Sequence, residues 1–123
     1  MRFDHVGIKA RDVEQAKEFY TKILGFQVLD QQKLFGKTYY FVGNETLTIE
    51  IEPAEKNAEP PDWAKASGLY HLALNVDDID KVAEELKRKG VEFIIEPFKI
   101  RPDRKMAYFD DPDGTRIQLI QDL

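Results

Sequence analysis

The chain has 123 residues, of which 42% are hydrophobic and 33% are charged, as expected for one ordinary globular domain. Eighteen basic and 23 acidic residues give a net charge of −5, which disfavours binding to nucleic acid. The absence of cysteine excludes disulfides and thiolate metal sites, and no apolar run approaches the roughly 20 residues of a membrane span. The N-terminus lacks the apolar segment of a secretory signal. We therefore expect a cytoplasmic protein whose partners are small molecules rather than nucleic acids or membranes.

The first half of the chain predicts one strand, one helix and three further strands. The strand patterns cover residues 3–9, 26–30, 34–42 and 46–52. After the first strand, apolar residues recur at helical spacing from Val13 to Leu24. Asp12 is the expected N-cap of this helix, and Gly25 stands where a helix ends. Residues 53–67, with three prolines and several charges, are predicted to be a linker.

The same order of elements returns in the second half. The strand patterns cover residues 69–76, 91–96, 106–109 and 115–120. A helix is predicted from Asp78, its N-cap, to Gly90. Residues 98–105 are predicted to form a polar, basic loop, and residues 111–114 a turn.

The two halves align at nearly constant offsets, which indicates an internal repeat. The matching pairs are His5 and His71, Asp12 and Asp78, Phe41 and Phe109, Ile49 and Ile117, and Glu50 and Gln118. We predict an α+β fold of two β-α-β-β-β modules in a single domain of residues 1–123, with module one at about 1–52 and module two at about 68–123. A single ferredoxin-like sheet is the alternative, but it has fewer strands and usually presents a basic face.

Four polar residues share one feature, a position on the strand face that does not cover a helix. They are His5, Glu50, His71 and Gln118. If the two sheets curve towards each other, these side chains converge. Imidazole and oxygen ligands together suit Zn²⁺, Ni²⁺, Co²⁺, Mn²⁺ or Fe²⁺. A lone histidine on a strand is more often an ordinary hydrogen-bonded residue, but both histidines of this chain occupy the same repeat position. The pattern therefore favours a divalent metal site.

Motifs along nearly the whole chain resemble the vicinal oxygen chelate superfamily, which includes glyoxalase I, methylmalonyl-CoA epimerase, extradiol dioxygenases, fosfomycin-resistance enzymes and bleomycin-binding proteins. The motifs are Asp4-His5-Val6-Gly7-Ile8, Glu18-Phe19-Tyr20, Leu24-Gly25-Phe26, Ile49-Glu50-Ile51, Tyr70-His71-Leu72-Ala73-Leu74, and Phe109 to Gly114 running into Ile117-Gln118-Leu119-Ile120. The layout is most similar to small bacterial glyoxalase I-like proteins. The resemblance implies a cup-shaped, glyoxalase-like fold, a divalent metal held at its base by the four polar residues, and a homodimer.

The resemblance also implies a lyase or isomerase that abstracts a proton next to a carbonyl through a metal-stabilised enediolate. In glyoxalase I the last ligand is usually a glutamate that moves this proton. Gln118 stands there in this chain, and an amide accepts no proton at neutral pH, so Glu50 is the candidate catalytic base.

Three alternatives to glyoxalase chemistry stay open. Two histidines, a glutamate and a glutamine are also the ligand set of methylmalonyl-CoA epimerase, with the glutamate and glutamine exchanged between halves. His5, His71 and Glu50 match a facial triad that holds Fe²⁺ in dioxygenases. The third alternative is a metal-free binding or resistance protein of the bleomycin-resistance type.

Further residues are candidates for contact with the substrate. Tyr40 lies in an aromatic strand segment, where sheet packing is an equal explanation. Arg101, Arg104 and Lys105 lie where the resemblance implies contact with the anionic part of a substrate, although a solvated surface is the alternative. Trp63, in the linker, is a candidate for a lid or for contact with a dimer partner.

Overall fold

Eight strands and two helices follow one another in the computed structural model, which describes all residues 1–123. They divide into two units, Met1–Pro60 (unit 1) and Pro61–Leu123 (unit 2). Unit 1 contains β1 Val6–Ala10, α1 Val13–Glu18, β2 Gln27–Leu34, β3 Lys37–Gly43 and β4 Thr48–Pro53. Unit 2 contains β5 His71–Asn75, α2 Ile79–Arg88, β6 Phe93–Arg101, β7 Arg104–Asp110 and β8 Arg116–Asp122. The predicted α+β class and the repeated β-α-β-β-β order are confirmed. Neither helix is long and apolar enough to cross a membrane.

The sheet of unit 1 has the strand order β1-β4-β3-β2, with β1 parallel to β4 and the other pairs antiparallel. Ile49 and Ile51 point to the fully buried face of β4, so alternation turns Glu50 to the other face. The Asp12 carboxylate accepts a hydrogen bond of 3.1 Å from the backbone N–H of Gln15, which confirms the predicted cap. A π-helical segment, Phe19–Ile23, extends α1 to the predicted stop at Gly25.

The sheet of unit 2 repeats this arrangement with the order β5-β8-β7-β6. Its buried face carries Ile117 and Leu119, which leaves Gln118 on the opposite face of β8. The Asp78 carboxylate accepts a hydrogen bond of 3.1 Å from the N–H of Lys81 and begins α2 as predicted. Gly90 follows the helix with a φ of 92°, a left-handed conformation that glycine adopts without strain.

The predicted loop at residues 98–105 is wrong. Residues 98–101 belong to β6 and residues 104 and 105 to β7, so that only Pro102 and Asp103 join the two strands. The basic side chains here have acidic partners, for example Arg101 with Asp103 at 2.7 Å, so their charges do not oppose strand pairing. The segment 34–42 is likewise interrupted by a turn at Phe35 and Gly36, where both φ angles are positive.

The strand registers correct one part of the repeat alignment. Glu50 pairs with Phe41 across β3 and β4, whereas Gln118 pairs with Tyr108 across β7 and β8. The structural counterpart of Phe41 is therefore Tyr108, and the alignment of Phe41 with Phe109 is wrong. The cause is the connection between the strands, which spans residues 44–47 in unit 1 and the longer 111–115 in unit 2.

Candidate functional site

His5 and Glu50 form a close pair on the face of unit 1 that α1 does not cover. Nε2 of His5 lies 3.7 Å from Oε1 of Glu50, and the two side chains are 33% and 21% exposed. This separation is too long for a hydrogen bond. The imidazole ring also meets the Phe41 ring edge-on, with 5.5 Å between the ring centroids. The His5 ring thus packs against Phe41, while the polar atoms of His5 and Glu50 stay accessible.

The chemistry of this pair fits two ligands of a divalent metal ion. Nδ1 of His5 donates a hydrogen bond of 2.6 Å to the Asp4 carboxylate, and this bond raises the pKa of His5. With the proton on Nδ1, the lone pair of Nε2 is free to bind a metal, as in carboxylate–histidine–metal arrangements. Two ligands of a tetrahedral ion with bonds near 2.1 Å lie about 3.4 Å apart. The observed 3.7 Å is close to that separation.

In unit 2, His71 and Gln118 are brought together through Tyr108. The Tyr108 hydroxyl oxygen accepts a hydrogen bond of 2.9 Å from Nε2 of Gln118 and lies 3.5 Å from Nδ1 of His71. Tyr108 is only 8% exposed, and burial raises its pKa. Because the amide nitrogen and Nδ1 both face Tyr108, the atoms suited to a metal are the amide oxygen of Gln118 and Nε2 of His71.

The four predicted metal ligands therefore occur as two pairs, one in each unit. No group of three or more His, Cys, Asp or Glu side chains that could hold a metal forms in the structure. A complete ligand set needs both pairs, and their joint binding of one ion stays a prediction.

Aromatic rings line one side of His71. The Tyr70 ring lies edge-on to the imidazole, with 5.1 Å between centroids, and the Trp63 ring lies edge-on to Tyr70 at 5.3 Å. The Trp63 indole N–H donates a 3.2 Å hydrogen bond to the backbone oxygen of Gly114. Trp63 is thus anchored within unit 2, where it extends the aromatic surface that begins at His71.

Arg116 is a charged neighbour of the site that the sequence reasoning missed. It pairs with His71 across β5 and β8, and it shares the face of Gln118. Its guanidinium donates to Asp110 at 2.8 Å and to the Tyr70 hydroxyl at 2.9 Å. The Asp110 carboxylate raises the pKa of Arg116. Strand alternation two residues before Gln118 was the signal that could have identified it.

Tyr40 does not line this face, and its predicted contact with substrate stays a prediction. It pairs with Ile51, which places it on the side covered by α1, and it is only 6% exposed. Its hydroxyl donates to the carboxylate of Glu14 in α1, and this bond raises the pKa of Tyr40. Lys17 lies over the ring at 5.0 Å. Tyr40 therefore joins the sheet to α1.

The three basic candidates are all engaged in ion pairs. The pairs are Arg101 with Asp103, Arg104 with Asp122, and Lys105 with Asp80. Lys105 reaches α2 on the face opposite Gln118, because it alternates with Met106 and Tyr108 along β7. Its predicted contact with substrate has no support from this placement and stays a prediction. Arg101 and Arg104 stay partly exposed at the hairpin, and their role stays a prediction.

Comparison with known proteins shows the family to which the chain is related. The sequence profile of the Glyoxalase/Bleomycin resistance protein/Dioxygenase superfamily matches residues 2–119. The uncharacterized protein YwkD of Bacillus subtilis is 32% identical over 95% of this chain and 94% of its own length. Human mitochondrial methylmalonyl-CoA epimerase is 31% identical, covering 98% and 73%. A probable lactoylglutathione lyase of Synechocystis sp. is 29% identical, covering 95% and 92%.

Solved structures show the same fold. A glyoxalase family protein from Enterococcus faecalis superposes with a TM-score of 0.81 at 29% identity, covering 97% of this chain and 96% of that chain. TnmS3, an antibiotic binding protein from Streptomyces sp. CB03234, superposes with a TM-score of 0.69 at 28% identity, covering 100% and 99%. The likeness thus extends over both units and reaches enzymes as well as a binding protein.

Proposed function

The chain belongs to the Glyoxalase/Bleomycin resistance protein/Dioxygenase superfamily, and we propose that it is a divalent-metal-dependent lyase or isomerase that removes a proton next to a carbonyl group. The observation that carries the proposal is the His5–Glu50 pair, whose Nε2 and carboxylate oxygen are spaced as neighbouring ligands of one ion. Similarity to a probable lactoylglutathione lyase and to methylmalonyl-CoA epimerase supports the reaction class.

The proposed ligands are the two pairs, His5 with Glu50 and His71 with Gln118, for Zn²⁺, Ni²⁺, Co²⁺, Mn²⁺ or Fe²⁺. A bound ion of this kind withdraws charge from the substrate carbonyl and so acidifies the neighbouring C–H bond. The protein's own groups prepare this arrangement. Asp4 holds the His5 ring with Nε2 free, and Tyr108 holds the Gln118 amide by its nitrogen.

The proton acceptor in this proposal is a carboxylate of unit 1, because the Gln118 amide accepts no proton. Glu50 would be free to accept the proton only where its carboxylate was not bound to the metal. Glu52 shares its face, and its Oε2 lies only 3.2 Å from the point that a Cβ on Gly7 would occupy. Since Gly7 pairs with Glu50, the Glu52 carboxylate leans towards the His5–Glu50 pair. A base contributes about 10²- to 10⁴-fold in rate. If Glu52→Gln loses that factor and still binds metal, Glu52 is the base.

The proposal is tested by proton exchange in D₂O. The metal-loaded protein is incubated with the hemithioacetal of methylglyoxal and glutathione, and separately with methylmalonyl-CoA. We expect deuterium to enter one of these substrates next to its carbonyl, and a His5→Ala/His71→Ala double variant to bind no metal and catalyse no exchange. Metal-loaded protein that exchanges no proton in either substrate contradicts the proposed reaction.

A homodimer is part of the proposal, and light scattering tests it against the chain mass of 14.3 kDa. Refolding His5→Ala chains together with His71→Ala chains then shows whether the two histidines of one site come from the same copy or from two copies. Random pairing makes half of the dimers mixed. Sites that combine two copies would regain about one quarter of the activity, and sites within one copy would regain none.

A metal-free binding protein is the second candidate, and the aromatic surface formed by Trp63, Tyr70 and Tyr108 beside His71 favours it. Aromatic walls suit planar or cationic ligands. Similarity to an antibiotic binding protein supports this candidate. The chain has one tryptophan, so its fluorescence reports directly on this surface. Quenching by bleomycin that is unchanged by a chelator, in a protein without exchange activity, favours binding over catalysis.

A further inference from the structure

Tyr108 and Gln118 face each other across β7 and β8. They are register partners, and the Tyr108 hydroxyl oxygen accepts a hydrogen bond of 2.9 Å from Nε2 of Gln118. The same nitrogen lies 3.5 Å from Sδ of Met106. Tyr108 and Met106 are both buried. The amide nitrogen of Gln118 therefore has an acceptor for each of its two hydrogens.

This arrangement specifies which end of the amide faces outward. A glutamine amide has two ends of similar size, but only the oxygen binds a cation. A hydroxyl accepts either end, because it both donates and accepts. The Met106 sulfur only accepts, so an amide turned around would place its oxygen against an atom with no hydrogen to offer. The two partners together favour the orientation with the oxygen free.

Unit 1 has no hydroxyl that orients its ligand, and the carboxylate ligand there needs none. Phe41, the register counterpart of Tyr108, has no hydroxyl and faces Glu50. The two oxygens of a carboxylate are equivalent, so either one can bind a metal. The Tyr108 hydroxyl is thus present in unit 2, where the proposed ligand Gln118 has an amide with two different ends.

We propose that Tyr108, assisted by Met106, is a positioning residue that holds the Gln118 amide with its oxygen turned outward as a neutral metal ligand. The inference rests on the proposed function, because it assumes that Gln118 binds the metal. Beyond the proposed function, Gln118 then serves as a metal ligand of fixed orientation.

The test is a double-mutant cycle with metal affinity as its readout. Calorimetric titration with Co²⁺ compares Tyr108→Phe with the wild type, and then repeats the comparison with Gln118→Glu in both proteins. Loss of a group that orients a ligand weakens metal binding by about 10- to 100-fold. We expect that loss when residue 118 is glutamine and less than about three-fold loss when it is glutamate, since a carboxylate needs no orientation.

Two further variants separate positioning from general stability. Tyr40→Phe removes a hydroxyl from another buried tyrosine, on the α1 side of its sheet, and we expect unchanged Co²⁺ affinity. Met106→Leu keeps the side-chain volume but removes the sulfur acceptor, and we expect a smaller loss than for Tyr108→Phe. Nitrogen NMR of the metal-free protein adds a readout without activity, because the side-chain amide signal of Gln118 is sensitive to the hydrogen bond that Tyr108→Phe removes.

Three possible results would overturn the positioning role of Tyr108. A Tyr108→Phe protein that binds Co²⁺ as the wild type does overturns the positioning role and leaves the proposed function intact. Equal losses with glutamine and with glutamate at residue 118 also overturn it, because the hydroxyl would then act on something other than amide orientation. A wild-type protein that binds no divalent metal overturns the proposed metal dependence and this inference together.

Discussion

Among the glycines of unit 1, Gly43 is the one where we expect an added methyl group to destabilise the fold most. It pairs with Thr48 at the end of β3, next to the connection that leads into β4 and Glu50. A Cβ added there would lie 1.9 Å from the backbone oxygen of Leu47 and 2.9 Å from its carbonyl carbon. Ordinary contact needs a separation of about 3.4 Å, so the backbone must move by about 1.5 Å.

The cost of this movement can be worked out from the contacts that it breaks. The Leu47 oxygen accepts a 2.9 Å hydrogen bond from the N–H of Asn44, whose own side-chain oxygen accepts from Thr46 N–H at 2.8 Å. Overpacking costs about 1–3 kcal/mol, and each lost hydrogen bond about 0.5–1.5 kcal/mol. We expect Gly43→Ala to lower the free energy of unfolding by about 3–4 kcal/mol, a large part of the roughly 5–15 kcal/mol of a typical domain.

Gly36→Ala is the matched control. Gly36 also lies in a turn of unit 1, at a φ of 76°, but no atom lies within 4 Å of the added Cβ. Only the left-handed backbone conformation then opposes the substitution, at about 1–2 kcal/mol. The two variants carry the same chemical change, but the new methyl group meets backbone atoms only at Gly43, whose φ of 159° is also closer to extended than that of Gly36.

Equilibrium unfolding in urea measures both values. With a slope of about 1.5 kcal/mol per M, Gly43→Ala should lower the midpoint by about 2 M, and Gly36→Ala by about 1 M. Equal shifts would refute the reasoning from contact distances, because backbone conformation would then explain both. A Gly43→Ala loss below about 1 kcal/mol would show that the 44–47 connection yields without breaking its hydrogen bonds.

Three further substitutions test individual contacts. Asp4→Asn removes the carboxylate that holds Nδ1 of His5, and calorimetry should show about 10- to 100-fold weaker metal binding with an unchanged melting temperature; unchanged affinity would contradict the role of Asp4. Asp78→Ala removes the N-cap of α2 and should cost about 1 kcal/mol in urea unfolding; a cost below about 0.3 kcal/mol would mean that water replaces the cap. Tyr40→Phe removes the bond to the partly exposed Glu14 carboxylate and should cost about 1.5 kcal/mol, and a neutral result would mean that solvent satisfies that carboxylate.

The sequence predicted the elements whose signals are local. Helix N-caps at Asp12 and Asp78 and glycine stops need only a few neighbouring residues, and they lie where they were expected. The faces of Glu50 and Gln118 also followed from alternation along a single strand, because the apolar residues on either side are buried.

The features that the sequence did not predict depend on pairing between strands. The register of β7 on β8 follows from the length of the connection at 111–115, so Tyr108, rather than Phe109, stands beside Gln118. Aligning the two halves by sequence could not detect this shift of one residue. Such a shift is small in an alignment, yet it turns every side chain of the strand to the other face. The face of Tyr40 depends on strand pairing in the same way, because its strand could face either way until its pairing with Ile51 was known.

The exchange of a carboxylate for an amide between the two units has an electrostatic consequence for the proposed site. With Glu50 as the only charged ligand, a divalent ion bound here would keep a net charge of about +1, whereas a second glutamate at residue 118 would neutralise it. In the proposed reaction, that remaining charge would strengthen the attraction for an oxygen atom that becomes negative during proton removal. The counterpart of Glu52 in unit 2 is Ile120, which is buried beside Met106 and Tyr108. Unit 1 thus supplies the carboxylates Glu50 and Glu52, while in unit 2 the neutral ligand Gln118 lies among Met106, Tyr108 and Ile120, with the ion-paired Arg116 and Asp110 as the charged neighbours.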